Sequence, residues 1–241
     1  MAFGKHRYAS YTDQKKKRHY FRWVGLGFFI FYATYIALST LLFSTRVQES
    51  EAMQPELRLG DRFIVSSYIL PSLISPEWLT HSLPFSRGNV VLVDHGIDNS
   101  PGVVSRVLDQ AMRFFTLQRM GFIHKEPAYL KRLIGLPGDE ITMTNYVLRI
   151  KPKGESYTFT EFELADKTYD VTIPQVPALW DASIPFSGNR ETIVLGEDEC
   201  FVLSDDRSNT NDSRTWGPVP VKHIAGKVLF RYWPFTRFGR P

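Results

Sequence analysis

A lysine among apolar neighbours is the first residue in this sequence whose type and setting suggest chemistry. Lys131 lies in the segment Leu130-Lys-Arg-Leu-Ile-Gly-Leu-Pro-Gly-Asp139. In an extended strand it shares one face with Tyr129 and Leu133, because side chains alternate. Burial among apolar side chains disfavours the charged form and lowers a lysine pKa from about 10.4 towards neutrality. The segment therefore suggests an amine general base, although a strand lysine that extends to solvent is the alternative.

Two distant segments carry the hydroxyl, carboxylate and guanidinium groups that could work with this base. They are Ser50-Glu-Ala-Met-Gln-Pro-Glu-Leu57 and Leu203-Ser-Asp-Asp-Arg-Ser-Asn-Thr-Asn-Asp-Ser-Arg-Thr-Trp-Gly217. Asp, Asn, Ser and Arg hydrogen-bond to the backbone and to one another, so the second segment can form a rigid loop. A solvated turn and a calcium loop are alternatives, but the central glycine and terminal glutamate of an EF-hand are absent from this segment.

The elements that position these segments are mainly β-strands. Short β-branched and aromatic runs separated by Gly, Pro, Asp and Asn predict a coiled sheet or a sandwich, with a type II turn at Pro137-Gly138. Segments 70–87 and 174–189 favour irregular loops. The predicted strands are Arg62–Leu70, Asn89–Val93, Glu140–Thr144, Ser156–Thr160, Cys200–Leu203 and Gly226–Tyr232.

One segment has a helical rather than a β pattern. Apolar residues recur at helical spacing over 104–122, and arginines lie elsewhere on the wheel. This predicts an inserted amphipathic helix of about 18 residues, packed against the sheet or lying in a membrane interface.

The N-terminal region predicts a membrane anchor. Residues 1–22 hold seven Lys or Arg and one Asp, and the next 21 residues, Trp23–Phe43, contain no charge. At 1.5 Å per residue, such a helix crosses a hydrocarbon core about 30 Å thick. A cleaved signal peptide is the alternative, although its apolar core is shorter. The basic block predicts that residues 1–22 are cytoplasmic and that 44–241 lie outside.

Charge and composition argue against several functions. The net charge of +4 comes entirely from the N-terminal block, so no basic stripe for nucleic acid is expected. Cys200 is the only cysteine, and the six histidines lack ligand spacing, so we expect no disulfide framework, no metal and no cofactor.

Together and in this order, the segments resemble the bacterial type I signal peptidase family. Its motifs run Ser-x-Ser-Met-x-Pro, Lys-Arg-x-x-Gly-x-Pro-Gly-Asp and Gly-Asp-Asn-Arg-x-x-Ser-x-Asp-Ser-Arg-x-x-Gly. The resemblance implies a single-pass protein of the bacterial cytoplasmic (inner) membrane, with a coiled β-sheet catalytic domain over 44–241 and a variable β insertion at about 145–198. It also implies removal of signal peptides from exported preproteins, with the lipid bilayer and the secretion translocon as further partners.

The resemblance also assigns roles to individual residues. Lys131 corresponds to the general base of a Ser/Lys dyad. Ser50 corresponds to the hydroxyl that, with the backbone N–H of residue 52, forms the oxyanion hole. Thr210 stands where a serine orients the lysine amine. The remaining correspondences are supporting residues of the two flanking motifs, namely Met53, Pro55, Arg207, Asp212 and Arg214.

The most serious departure from the family pattern is Ala52, at the position where the nucleophilic serine is expected. Loss of a covalent nucleophile costs on the order of 10⁶ in kcat, so the chain is expected to be nearly inert. Ser50 cannot substitute, because two residues along a strand span about 6.5 to 7 Å. We interpret Ala52 as an introduced change that traps substrate or prevents self-cleavage, because a relic would also be free to lose Lys131.

Smaller departures fall in the two flanking motifs. Ser204 replaces a glycine, Asp206 an asparagine and Glu56 a threonine.

Three functions are compatible with these sequence features. The first is a protease that binds an extended substrate and takes small side chains at the first and third positions before the cut. The second is a membrane-tethered protein that binds preproteins without cleaving them, which Ala52 favours. The third is a self-cleaving repressor relative, but those proteins carry a DNA-binding head where this chain has the predicted anchor.

Overall fold

The computed structural model describes most of the 241-residue chain. The described residues are 11–41, 43–67, 85–94, 104–105, 108–109, 111–112, 129–175 and 188–241. Most of the two predicted loops and of the predicted amphipathic helix lies outside them. The described pieces of 104–112 are helical, and Val104 and Leu108 are exposed, so core packing is not seen at these two positions.

The first described element is a long helix, α1, over Tyr11–Leu41. The predicted span Trp23–Phe43 is helical as far as Leu41, but Phe43 already begins the first strand. Within the described part of the chain, no helix combines the length and the apolar character that a membrane crossing needs. The predicted membrane span is therefore not confirmed.

The main sheet has seven antiparallel strands in the order β1-β2-β11-β3-β4-β9-β10. Its central strand β3 is buried along its whole length, and β4 is buried beyond its first residue. The strands are β1 Phe43–Val47, β2 Arg62–Ser67, β3 Val90–Val93, β4 Tyr129–Gly135, β9 Glu199–Leu203, β10 Val219–Pro220 and β11 Ile224–Trp233.

A second sheet of four strands, in the order β7-β6-β5-β8, follows β4 along the chain. The turn between β4 and β5 is the one predicted at Pro137-Gly138, with Gly138 at a φ of 82°. The strands are β5 Glu140–Thr144, β6 Val147–Lys151, β7 Phe159–Thr160 and β8 Arg190–Val194. The described helices after α1 also include a short α2, Ser213–Trp216, and 3₁₀ turns at Val221–His223 and Phe235–Arg237.

The two sheets share a core. Ile134 and Phe201 of the main sheet pack in one buried cluster with Ile141, Leu148 and Ile150 of the second sheet. Burial of such side chains contributes roughly 1.5 to 3 kcal/mol each, so the second sheet is held firmly against β4 and β9.

The mainly β prediction is confirmed, with local differences. Strands were predicted correctly around β2, β3, β5, β9 and β11, although β2 is described only to Ser67. The predicted strand Ser156–Thr160 is wrong over most of its length, because only Phe159–Thr160 pairs, and it does so at the sheet edge beside β6. Strands β1, β6, β8 and β10 were not predicted. Charged and polar residues weaken the β pattern of the first three, and β10 is only Val219–Pro220.

Candidate active site

Lys131 points from β4 into a closed environment. Its side chain is 1% exposed, and Nζ donates a hydrogen bond of 2.8 Å to Ser204 Oγ. The rings of Tyr129 and Trp216 lie 5.9 and 5.7 Å from Nζ. Burial lowers the pKa of Lys131 to about 8, although Asp212 opposes this shift. A neutral amine is therefore available near physiological pH, which an exposed lysine does not offer.

The segment that carries Ala52 connects β1 to β2. Met53 and Leu57 are fully buried in the cluster that includes Phe63, and Leu57 N–H donates to the Met53 carbonyl at 2.8 Å. These contacts fix the turn, and the Ala52 methyl is buried within it.

Ser50 precedes this turn and is exposed. Its hydroxyl lies 3.4 Å from the Nε2 donor of buried Gln48, which also donates to the Ser50 carbonyl at 2.7 Å. Pro55 is exposed at the far side of the turn and follows a cis peptide bond. Gln48 therefore anchors the chain at Ser50, a role that the sequence did not suggest.

The loop after β9 joins the lysine to the Ala52 turn. Ser204 at its start bonds Lys131, and the Asp206 N–H donates to the Ala52 carbonyl at 3.0 Å. Two residues of extended chain span no more than about 7 Å. Lys131 and residue 52 are therefore bonded to two points of one loop that lie no more than about 7 Å apart along the chain.

Asp212 and Arg214 brace this loop. Asp212 Oδ2 accepts from Ser204 N–H at 2.9 Å, and its carboxylate accepts from Arg214 Nε and Nη2 at 2.9 and 2.7 Å. Arg214 Nη1 donates to the Arg207 carbonyl at 2.8 Å. Burial alone would raise the pKa of Asp212, but the bonds from Arg214 and the Ser204 N–H outweigh it and hold the pKa low. Asp212 thus stays an anion that fixes Ser204.

A network of buried charges lies behind the loop. Arg132 donates to both oxygens of Asp205 at 2.7 and 2.5 Å, and its guanidinium lies 4.0 Å from the centre of the Tyr169 ring. Arg207 Nη2 donates to Glu161 at 2.6 Å, and the Tyr169 hydroxyl donates to the same carboxylate at 2.7 Å. Glu161 and Tyr169 belong to the predicted insertion, and only the fold brings them to the loop. No sequence signal identified them.

Thr210 is the predicted site residue whose contact differs from the expectation. Its carbonyl accepts from Thr215 Oγ1 at 2.6 Å, but within the described residues its hydroxyl makes no hydrogen bond to Lys131. Ser204 holds the amine instead. The catalytic roles given to Lys131, Ser50 and the supporting residues stay predictions. Among the described residues no three His, Cys, Asp or Glu are grouped to hold a metal ion.

Comparison with known proteins points to one family. The family model described as signal peptidase, peptidase S26, matches residues 20–233. Signal peptidase IB from strains of Staphylococcus aureus is 30% identical over 115 residues, covering 48% of this chain and 58% of the relative's length. A probable signal peptidase I-2 from Synechocystis is 25% identical over 219 residues, covering 90% of this chain and 76% of the relative.

Proposed function

This chain belongs to the signal peptidase family, peptidase S26. We propose that, with serine at position 52, it is a serine endopeptidase that removes signal peptides from exported preproteins. We propose further that the form with Ala52 is inactive.

The observation that carries the proposal is the setting of Lys131. Its buried amine has a pKa of about 8 and is attached through one loop to residue 52. A general base works best with a pKa near the operating pH and within hydrogen-bond reach of its proton donor. Burying a lysine is costly, so a structural purpose alone is a weak explanation for it.

With serine at position 52, the reaction follows the logic of a Ser/Lys dyad. Lys131 takes the hydroxyl proton while the serine oxygen bonds to the substrate carbonyl carbon. The oxyanion is stabilised by the residue 52 N–H and the Ser50 hydroxyl. Lys131 then gives the proton to the leaving amine as the C–N bond breaks, and water releases the acyl group by the same route.

Ala52 removes the reacting atom from this scheme and leaves the rest of it in place. A methyl group has no lone pair to attack a carbonyl, and the exposed Ser50 has Gln48 rather than Lys131 as its partner. Loss of the nucleophile is worth on the order of 10⁶ in kcat. A serine codon in the gene of origin supports an introduced change, whereas an alanine codon excludes one.

The location we propose is the bacterial cytoplasmic membrane. The basic residues of 1–22 and the uncharged stretch Trp23–Phe43 support an anchor with its N-terminus in the cytoplasm. The β domain then faces the extracytoplasmic side, where exported preproteins emerge. Preproteins, the bilayer and the secretion translocon are the partners that fit this placement.

A second function, favoured by Ala52, is non-catalytic binding of preproteins. The buried framework around Lys131 is intact, so an extended peptide can still meet the site without being cleaved. Retention of Lys131 argues against this function as the native one, because binding alone has no use for a general base.

The test is to purify the full chain and its Ala52→Ser variant in detergent and to incubate each with a preprotein that carries an A-x-A site. We expect cleavage by the serine variant alone, measured as the processed product. Ala225→Ser, the same substitution on a partly buried strand position, is the matched control and is expected to stay inactive. If Ala52→Ser does not cleave the preprotein but still binds it, the result would contradict the protease function and support the binding function.

A further inference from the structure

Ser204 occupies its position because of how two strands pair. Arg132 of β4 lies opposite Leu203, the last residue of β9, so continuing this antiparallel register by one residue places Ser204 opposite Lys131. Side chains that are opposite each other in such a pair lie on the same face, with Cβ atoms about 4.5 to 5.5 Å apart. The sheet itself therefore directs the Ser204 hydroxyl towards the Lys131 amine.

The hydroxyl is also held in place from its own backbone. The Ser204 N–H donates to Asp212, which is itself fixed by Arg214, and Ser204 is fully buried. Among the described residues Ser204 Oγ is the one hydrogen-bond partner of Lys131 Nζ. Burial of the lysine stem and this hydrogen bond together hold the amine beside Ser204.

The bonding of Ser204 also suggests what its hydroxyl does. The hydroxyl is buried and already bonded to the Lys131 amine. A hydroxyl can accept a hydrogen bond from an ammonium group or donate one to a neutral amine. It can thus keep contact with Lys131 before and after the lysine takes a proton.

We propose that Ser204 is the positioning residue for the Lys131 amine, in the role that the family resemblance assigns to Thr210. This inference rests on the proposed function. In this chain the hydroxyl that orients the base is therefore at position 204, next to the end of β9, where the family pattern has a glycine. The family pattern instead has this hydroxyl at the position of Thr210.

The kinetic test compares two serine-to-alanine changes in one loop, both made in the Ala52→Ser background. Ser204→Ala is expected to lower kcat about 10- to 100-fold with KM within about twofold, because a misplaced base loses near-attack geometry. Ser208→Ala, at an exposed serine that bonds Asp206, is expected to change kcat less than about twofold. A larger loss from Thr210→Val than from Ser204→Ala would overturn the assignment.

A second measurement reads the contact without catalysis, in the chain with Ala52. Nitrogen-15 lysine NMR, with the signal assigned by Lys131→Met, should show a shifted Lys131 Nζ resonance in Ser204→Ala and an unchanged one in Ser208→Ala. The Lys131 pKa should stay near 8, because burial is its main cause. A rise towards 10.5 would mean that water has entered and that Ser204 only fills space, which overturns the proposal.

The two proposals fail in different ways. If the Ala52→Ser variant is inactive, the proposed function is contradicted. The NMR comparison still decides whether Ser204 holds the amine. Cleavage by the chain with Ala52 that Ser204→Ala abolishes would make Ser204 a nucleophile and would overturn the positioning role.

Discussion

Ion pairs are buried in one region of this molecule and exposed to solvent in another. Around the loop from Ser204 to Gly217, the ion pairs Arg132–Asp205 and Arg207–Glu161 are almost completely buried. At the second sheet, the pair Lys153–Glu197 has side chains that are 61% and 79% exposed. The charges of the first region have lost their hydration, which costs free energy, whereas the charges of the second region remain hydrated.

This difference shows where the fold needs precision. A buried ion pair is often no more stabilising than apolar residues of the same volume, but it fixes geometry and is costly to break. An exposed pair contributes little and is screened by salt. We therefore expect the loop after β9, which is bonded to Lys131 and to residue 52, to be held more rigidly than the turns that carry Lys153 and Glu197.

The largest expected effect comes from the buried lysine itself. In the Ala52→Ser background, Lys131→Met should lower kcat by about 10³-fold or more, because no base then removes the serine proton. Its melting temperature should stay the same or rise, since a buried charge has been replaced by an apolar side chain of similar length. Preprotein cleavage and thermal unfolding measure the two effects.

The matched control for this variant is Lys151→Met, at a half-exposed lysine of β6 that pairs with Glu140. It should leave cleavage and melting temperature nearly unchanged. Unchanged cleavage in Lys131→Met would contradict the role of the buried amine.

The buried acid that pairs with Arg207 should give the next largest effect. Glu161→Gln keeps the shape and the acceptor for the Tyr169 hydroxyl, but it leaves Arg207 buried without its counter-charge. The free energy of unfolding should fall by about 3 to 5 kcal/mol. Urea denaturation followed by tryptophan fluorescence measures it, and a loss well under 1 kcal/mol would show that water reaches Arg207.

The pH dependence of the restored enzyme follows from the pKa of Lys131, which burial lowers to about 8. The reactive form is the neutral amine, so kcat/KM should rise with pH and reach half its plateau near pH 8. Below that point, activity should fall roughly tenfold per pH unit as the amine is protonated. Initial rates between pH 6 and 10 measure this, and a midpoint near 10.5 would show a solvated lysine.

The smallest effect belongs to the exposed pair. Glu197→Gln makes the same chemical change as Glu161→Gln, but its partner Lys153 is open to solvent. The free energy of unfolding should change by less than about 0.5 kcal/mol. If urea denaturation gave equal losses for both variants, the contrast between the two regions would be wrong.

The sequence predicted the features that depend on local pattern. The strand of Lys131, its apolar surroundings and the turn at Gly138 follow from alternation and from glycine's freedom at positive φ. The association of three distant segments was also predicted, although through the family motifs rather than through spacing.

Contacts that depend on strand pairing could not be predicted. Glu161 and Tyr169 reach the loop only because the second sheet packs against β4 and β9, and no local pattern specifies that packing. Ser204 was noted as a departure from the family pattern. Its contact with Lys131 follows from the alignment of β4 and β9, which a single sequence does not reveal.

Strand β4 also keeps two cationic neighbours apart. Lys131 contacts Ser204 while the adjacent Arg132 contacts Asp205 and Tyr169, as expected for consecutive residues on opposite faces of a sheet. Deleting one residue before this pair would exchange the faces and bring a permanently charged guanidinium to the position of the titratable amine. The length of β4 is therefore as restrictive for this chemistry as the identity of its lysine.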